Sequence, residues 1–415
     1  YTGGTPNTST AEFWAEDEDK CSIPWVAISD ITKSDKILES TSKKISIVGR
    51  EDKGLDILPK GTLLMSIFAS LGKTTRLGIE ATINQAILGL VPNEKLSLDF
   101  LEYLLVDAEK YVSYYSSVST QENLNLSKIK NLQFPLPTFQ EQTQIAHYLD
   151  YQTNIIDQLI SKKQKLIELL KEKRQAIINE AVTKGLNPNA KMKDSGIEWL
   201  GEVPEEWAVT SIKNILSIPI TDGPHTTPTL IDNGIPFISA ESIKNGKIDF
   251  NKKRGDISEV DYEIFSKKYV PQVEDIFMVK SGATTGNVAM VESEIKFTIW
   301  SPLAVFRANK KKVLAQYLHY YLQSGSMKSA VEINWSYGTQ QNIGMGVLSN
   351  IAITYPSLIE QKEIVLYLNR QVAGFEKLLE KTLVCIEKLK EYRQSIISEA
   401  VTGKIDVRDW QAPNN

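Results

Sequence analysis

A chain of 415 residues is longer than one hydrophobic core usually supports, so at least two domains are expected. Its 42% hydrophobic and 24% charged residues are ordinary globular usage, no apolar run is long enough to span a bilayer, and two cysteines exclude a disulfide framework or a cysteine-rich metal site. A net charge of −4 argues against a free-standing nucleic-acid binder, because such domains are usually basic, so any attraction for nucleic acid has to be local.

The opening "YTGGTPNTSTAEFW" has neither a basic n-region nor an apolar h-region, and the expected compartment is the cytoplasm, with no membrane partner. Residues 1–137 carry short β-rich runs ("KISIV", "GTLLMSIFA") broken by Gly, Pro, Asn and Asp, with one helical patch, "LDFLEYLLVDAEKYV": an α+β domain. Residues 138–190 follow as a long helix and linker, since Phe139 to Thr183 contains no Pro or Gly and is rich in helix formers. A second α+β domain, 191–356, opens on "KDSGIEWLGEVPEEW", and 357–415 repeats the long helix and adds a tail. That opening has no counterpart before Tyr1, so a further segment of about twenty residues is expected upstream.

One phrase occurs twice: "EKRQAIINEAVTKG" from Glu172 and "EYRQSIISEAVTGK" from Glu391. With the same 219-position offset, Pro137, Glu141, Gln142 and Tyr148 match Pro356, Glu360, Gln361 and Tyr367, and roughly half of the positions through to Thr183 and Thr402 are identical. Upstream the register drifts, yet "IPWVAISDI" still resembles "IPFISAESI". Apolar residues at spacings of three and four define a heptad seam: Ile145, Leu149, Ile156, Leu159, Leu166, Leu170 and Ile177 in the first copy, and Ile364, Leu368, Phe375, Leu378, Leu389 and Ile396 in the second. Gln152 and Gln371 fall at equivalent points as a register device, and Gly185 and Gly403 supply helix stops. The expected fold is α+β: two globular domains separated by two long antiparallel coiled-coil helices, in a pseudo-twofold internal repeat.

No catalytic constellation is visible. "SLGKTT" lacks the first glycine of a phosphate loop, where Ile67 stands, and His225 has no second ligand at metal-binding spacing, so no metal site is expected. What recurs in both halves is loops rich in hydroxyl, amide and basic groups, the side chains that bond phosphates and base edges. The candidate DNA-binding residues are Lys73, Thr74, Thr75, Arg76, Gln121 and Asn123 in the first half, and His225, Thr226, Thr284, Thr285, Gln340 and Asn342 in the second. Runs such as Lys252, Lys253 and Arg254 are by default solvated surface.

The paired "EQ…I…YL…RQ(A/S)II.EAVT" segments, "KDSGIEWLGEVPEEW", and "GGTPNTSTAEFW…IPWVAISD" followed by "GTLLMS" resemble the specificity (S) subunits of type I restriction-modification systems, over essentially the whole chain. The resemblance implies two target-recognition domains, each reading one half of a split double-stranded DNA sequence. It also implies helical regions that set the spacer and dock two methyltransferase (M) subunits, and a nuclease/translocase (R) subunit as a further potential partner. The chain itself would be non-catalytic and without cofactor; S-adenosylmethionine, ATP and Mg would belong to the partners. Two other readings stay open on the residues alone: the recognition part of a fused restriction-methylation enzyme, and a coiled-coil scaffold with no DNA role.

Overall fold

Leu63–Ser66 and Ile276–Val279 are buried at every position, the mark of a strand with both faces covered. In the computed structural model, which describes residues 1–15, 22–34, 36–67, 73–116, 133–334 and 342–413, each is the centre of a sheet. Leu63–Ser66 pairs antiparallel with Thr74–Leu77 and with Ile87–Leu90; Ile276–Val279 pairs antiparallel with Val288–Met290 and with Leu303–Phe306. A second sheet repeats as faithfully. Ile23–Val26 lies antiparallel to Lys43–Ile45 and parallel to Thr82–Ile83, while Ile235–Ile238 lies antiparallel to Gly255–Ile257 and parallel to Thr298–Ile299. The two halves therefore share these four pairings, although the outer strands differ: Ile37–Leu38 flanks Thr74–Leu77 in one, and Thr221–Asp222 flanks Leu303–Phe306 in the other.

By contact the chain divides into two compact units, Tyr1–Lys163 with Leu383–Asn415, and Gln164–Thr382. Each unit takes part of both long helices, which run unbroken over Phe139–Lys184 and Leu358–Val401. The central helix opens with a reciprocal cap: the Glu141 amide donates to Thr138 Oγ1 at 3.3 Å, and the Thr138 amide donates to Glu141 Oε2 at 3.0 Å. Both helices stop where expected, at Gly185 and Gly403, whose φ of 78° and 74° lie in the left-handed region that side chains disfavour.

In the first unit Ile145, Leu149 and Ile156 share a core with Ile396, Ile397 and Val401, and Asp157 pairs with Arg393 at 3.0 Å. In the second unit Ile178 and Val182 share a core with Ile364 and Leu368. Each unit thus joins the start of one helix to the end of the other, an antiparallel arrangement. The seam follows heptad spacing but in a corrected phase. Leu149, Thr153, Ile156, Ile167 and Ile178 are buried on the central helix, and Leu368, Val372, Phe375, Ile386 and Ile397, their partners at the repeat offset, are buried on the distal helix. Half-buried Ile160, Leu170, Leu379 and Leu389 continue the same rows, and Ile145, Ile177, Ile364 and Ile396 are covered as anticipated. Leu159, Leu166 and Leu378 are not seam residues: they are 41%, 38% and 51% exposed. Gln152 and Gln371 are half-buried beside the seam, whose positions at that level belong to Thr153 and Val372.

This phase makes a test. Ile167→Asp places a carboxylate at a buried position and is expected to cost about 3 kcal/mol or more in urea unfolding, whereas Leu166→Asp should stay within about 0.5 kcal/mol of the wild type. Equal losses from both would return Leu166 to the seam.

The repeated glutamine has a specific task. Gln142, fully buried, accepts from the Ser97 amide at 2.7 Å and donates to the carbonyls of Lys95 and Pro137, both at 2.9 Å. Gln361, also fully buried, accepts from the Leu314 amide at 2.8 Å and donates to the carbonyls of Lys312 at 3.0 Å and Pro356 at 2.9 Å. In each unit one amide side chain clamps the turn before the domain's own helix onto the start of a long helix. About two turns further along the long helices, Tyr103 donates to Asp150 at 2.9 Å and Tyr320 to Asn369 at 2.8 Å.

Candidate nucleic-acid interface

In the first half the structure gives the anticipated residues mixed roles. Thr74–Leu77 is a strand rather than a loop, with Thr75 and Leu77 turned inward. Thr75 is fully buried, and its hydroxyl accepts from Ser34 Oγ at 2.9 Å, so it presents nothing to a groove and is withdrawn as a contact. Arg76 is engaged by the helix Leu98–Ser116: Nη1 lies 2.6 Å from Asp99 Oδ1, and Nε donates to Glu102 Oε2 at 2.8 Å. Burial works against the Arg76 charge, but Glu102 and Asp99 more than offset it and raise its pKa. With both carboxylates occupying its guanidinium, Arg76 ties sheet to helix. Lys73 donates to the Thr32 carbonyl at 2.6 Å, and Thr74 is half-buried. Gln121 and Asn123 lie outside the described residues, as does Gln340 of the second half.

In the second half three separate segments converge. His225 and Thr226 sit in the exposed loop after Asp222, and this loop is fixed to the strand end beyond it by the Ser301 amide, which donates to the Pro224 carbonyl at 3.2 Å. Next to it, the Lys280 amide donates to the Pro302 carbonyl at 2.8 Å, which sets the turn carrying Thr284 and Thr285 alongside. Thr284 is exposed at the tip, while Thr285 Oγ1 donates to the Gly282 carbonyl at 2.7 Å and helps hold the turn. Finally, the Ile343 amide donates to the Lys280 carbonyl at 2.9 Å and Asn342 bridges Ser281, bringing exposed Asn342 to the same place. The segments that carry His225, Thr226, Thr284, Thr285 and Asn342 are therefore linked to one another through the main chain.

Beneath them lies a charge cluster that sequence reasoning missed. Asp222, whose side chain is 1% exposed, lies 2.5 Å from Lys268 Nζ, 3.3 Å from Lys280 Nζ and 3.2 Å from His225 Nε2. Burial alone would raise the Asp222 carboxyl, but the Lys268 and Lys280 ammoniums outweigh it and hold it below the usual carboxylate range. Arg254, flagged only as part of a basic run, stacks on the Trp300 ring at 4.0 Å, with Glu241 3.6 Å away. No local pattern marks these partners, since Asp222 lies more than forty residues before Lys268 and Lys280 in the chain.

The duplicated domain has known counterparts. Residues 2–169 and 204–388 match the family model described as the type I restriction modification DNA specificity domain. The chain belongs to this family. Among curated specificity-domain proteins, it is similar to the type I restriction enzyme EcoBI specificity subunit of Escherichia coli, 24% identical over 402 residues that cover 95% of this chain and 82% of the relative. It also resembles the type I restriction enzyme MjaIX specificity subunit of Methanocaldococcus jannaschii, 25% identical, with 98% of this chain and 91% of that one covered. The fold matches a chain solved in work on complex assembly and conformational transition of the type I R-M system, with a TM-score of 0.69, 17% identity and 92% of each chain covered. No helix among the described residues of this specificity-domain protein is long and apolar enough to cross a membrane.

Proposed function

We propose that this chain is the DNA-reading, non-catalytic subunit of a type I restriction-modification complex, in which each domain reads one half of a split target and the paired helices dock two methyltransferase subunits. The observation that carries this reading is the duplication itself: the same strand pairings and one glutamine clamp occur twice, while the sequences between these elements differ. Two similar frames with dissimilar loops suit a non-palindromic target read in two parts. The corrected helix phase supports docking, because it leaves Leu159, Leu166 and Leu378 exposed, with Leu383 and Val384 at 54% and 49%. Exposed leucines on a helix pair are the chemistry of a site that further helices cover. S-adenosylmethionine, ATP and Mg would be bound by the partner subunits, and the acidic chain would rely on those partners for much of the grip on the duplex.

The test is to combine the purified chain with its methyltransferase subunit and map methylation on random duplexes. A bipartite motif, methylated only by the combination, is expected. Methyl transfer by the chain alone would instead identify the recognition part of a fused enzyme, and sequence-blind behaviour would identify a scaffold. In the same assay, inserting four residues after Gln158 and four after Lys377, one helical turn in each copy, should lengthen the silent spacer and leave both half-sites unchanged. Unaltered spacing would show that the helices are not the ruler.

A further inference from the structure

One carboxylate faces two ammonium groups at the base of the second domain's loops. Asp222 is the sole ion-pair partner within 4.0 Å of Lys268 or of Lys280 among the described residues, so the cluster carries one positive charge in excess before His225 is counted. The position of this excess is informative, because Asp222 is buried at the foot of exposed loops. Lys280 directly precedes the turn that carries Thr284, and Asp222 precedes the loop that carries His225 and Thr226. Lys268 is the outermost of the pair, with 43% of its side chain exposed against 13% for Lys280, and it also donates to the Gly223 carbonyl at 3.0 Å. Its ammonium is thus held in place by the carboxylate and a main-chain oxygen, not swinging on a free four-carbon stem.

Resting on the reading of this chain as a DNA-binding subunit, we propose that Asp222 anchors a phosphate grip, with Lys268 contacting a backbone phosphate of the duplex on the second domain and Lys280 adding a second charge behind it. Two ammoniums brought together would repel; a buried carboxylate between them removes that repulsion and fixes both in advance. The ordering cost of a long side chain is then met on folding and not on binding. A phosphate held at this point registers the duplex against Thr226 and Thr284 while carrying no sequence information itself, the division of labour that nucleic-acid interfaces show between backbone and base contacts.

The experiment uses the complex with the methyltransferase subunit and measures affinity for a target duplex and for an unrelated duplex across a potassium chloride series. Lys268→Ala is expected to weaken both duplexes by the same factor and to reduce the slope of log affinity against log salt by about 1, with the methylated motif unchanged. Asp222→Asn removes a negative charge, which by simple attraction would tighten DNA binding; the anchor role predicts weaker binding instead. An unchanged slope and affinity in Lys268→Ala would overturn the phosphate contact, as would a loss confined to the target duplex, which would make Lys268 a base reader. Tighter binding by Asp222→Asn would overturn the anchor. If the wild-type complex itself showed no preference for any duplex, the underlying DNA-reading assignment would fail and the grip with it, a result distinct from a normal wild type with an indifferent Lys268→Ala.

Discussion

Asp275→Leu is expected to lower the stability of the second domain by about 3–5 kcal/mol, the range for removing one partner of a buried ion pair. Asp275, only 1% exposed, accepts from Arg307 Nε at 2.6 Å and Nη2 at 2.7 Å, from the Gln272 amide at 2.8 Å, and from the Tyr269 hydroxyl. It stands immediately before the central strand Ile276–Val279, and Arg307 immediately after the neighbouring strand Leu303–Phe306, so the pair staples the ends of two adjacent strands. Burial, reinforced by Asp275, raises the Tyr269 phenol well above its ordinary range, so it stays a neutral donor. Removing the carboxylate leaves the Tyr269 hydroxyl and the Gln272 amide without their acceptor, and the largely covered Arg307 guanidinium with no counter-charge and only the Val270 carbonyl at 3.1 Å. The double variant Asp275→Leu, Arg307→Met should recover much of the loss, because the cost lies in the unpaired charge and not in the absence of the pair. Equilibrium urea unfolding measures both; a single variant within 1 kcal/mol of wild type would show the network to be dispensable.

Gln361→Leu should be nearly as costly. Leucine fills a similar volume but leaves the Leu314 amide and the carbonyls of Lys312 and Pro356 without their shared partner. Each buried backbone group left unpaired costs ~1–3 kcal/mol, so about 3 kcal/mol or more is expected in all. Gln142→Leu should lose as much in the first unit, where the Ser97 amide and the carbonyls of Lys95 and Pro137 are left in the same state. Glutamate at either position keeps the acceptor but sets a buried carboxylate against two carbonyl oxygens, and should cost at least as much. Amide exchange at Leu314 offers a local readout: it should accelerate in Gln361→Leu and stay slow in Gln142→Leu. If neither leucine variant moved its urea midpoint, water would be replacing the side chain without penalty.

The architecture was readable because duplication is a long-range signal written in local residues. A match such as Gln142 with Gln361 needs no knowledge of contacts, and long stretches free of Pro and Gly announce helices by themselves. The seam was misphased for a physical reason. Leu159–Ile160 and Leu166–Ile167 are adjacent apolar pairs, and either member satisfies a spacing of three or four. Polar Thr153 on a buried row also disguised the true frame. At the candidate interface, "KTTR" read as a loop because hydroxyls dominate it, yet inward Thr75 and Leu77 show the alternation of a strand. The pairing of Arg76 with Asp99 and Glu102, and the convergence of Lys268 and Lys280 on Asp222, depend on which surfaces meet after folding, and no spacing rule encodes them.

The glutamine clamp has a consequence for how such a protein can change over generations. Every atom that Gln142 and Gln361 grip on their domains is main chain: an amide and a carbonyl ahead of the domain helix, and the carbonyl of the proline before the long helix. Main-chain atoms are common to all residues, so the joint is indifferent to the identity of the side chains around it. At the gripped turn, Lys95, Leu96 and Ser97 in one half become Lys312, Val313 and Leu314 in the other without altering the bonds. Drift or wholesale replacement within a domain therefore leaves its socket intact, provided the backbone still arrives at the same turn. A lineage under pressure to alter what it recognises can exchange the variable part and inherit the fitting unchanged.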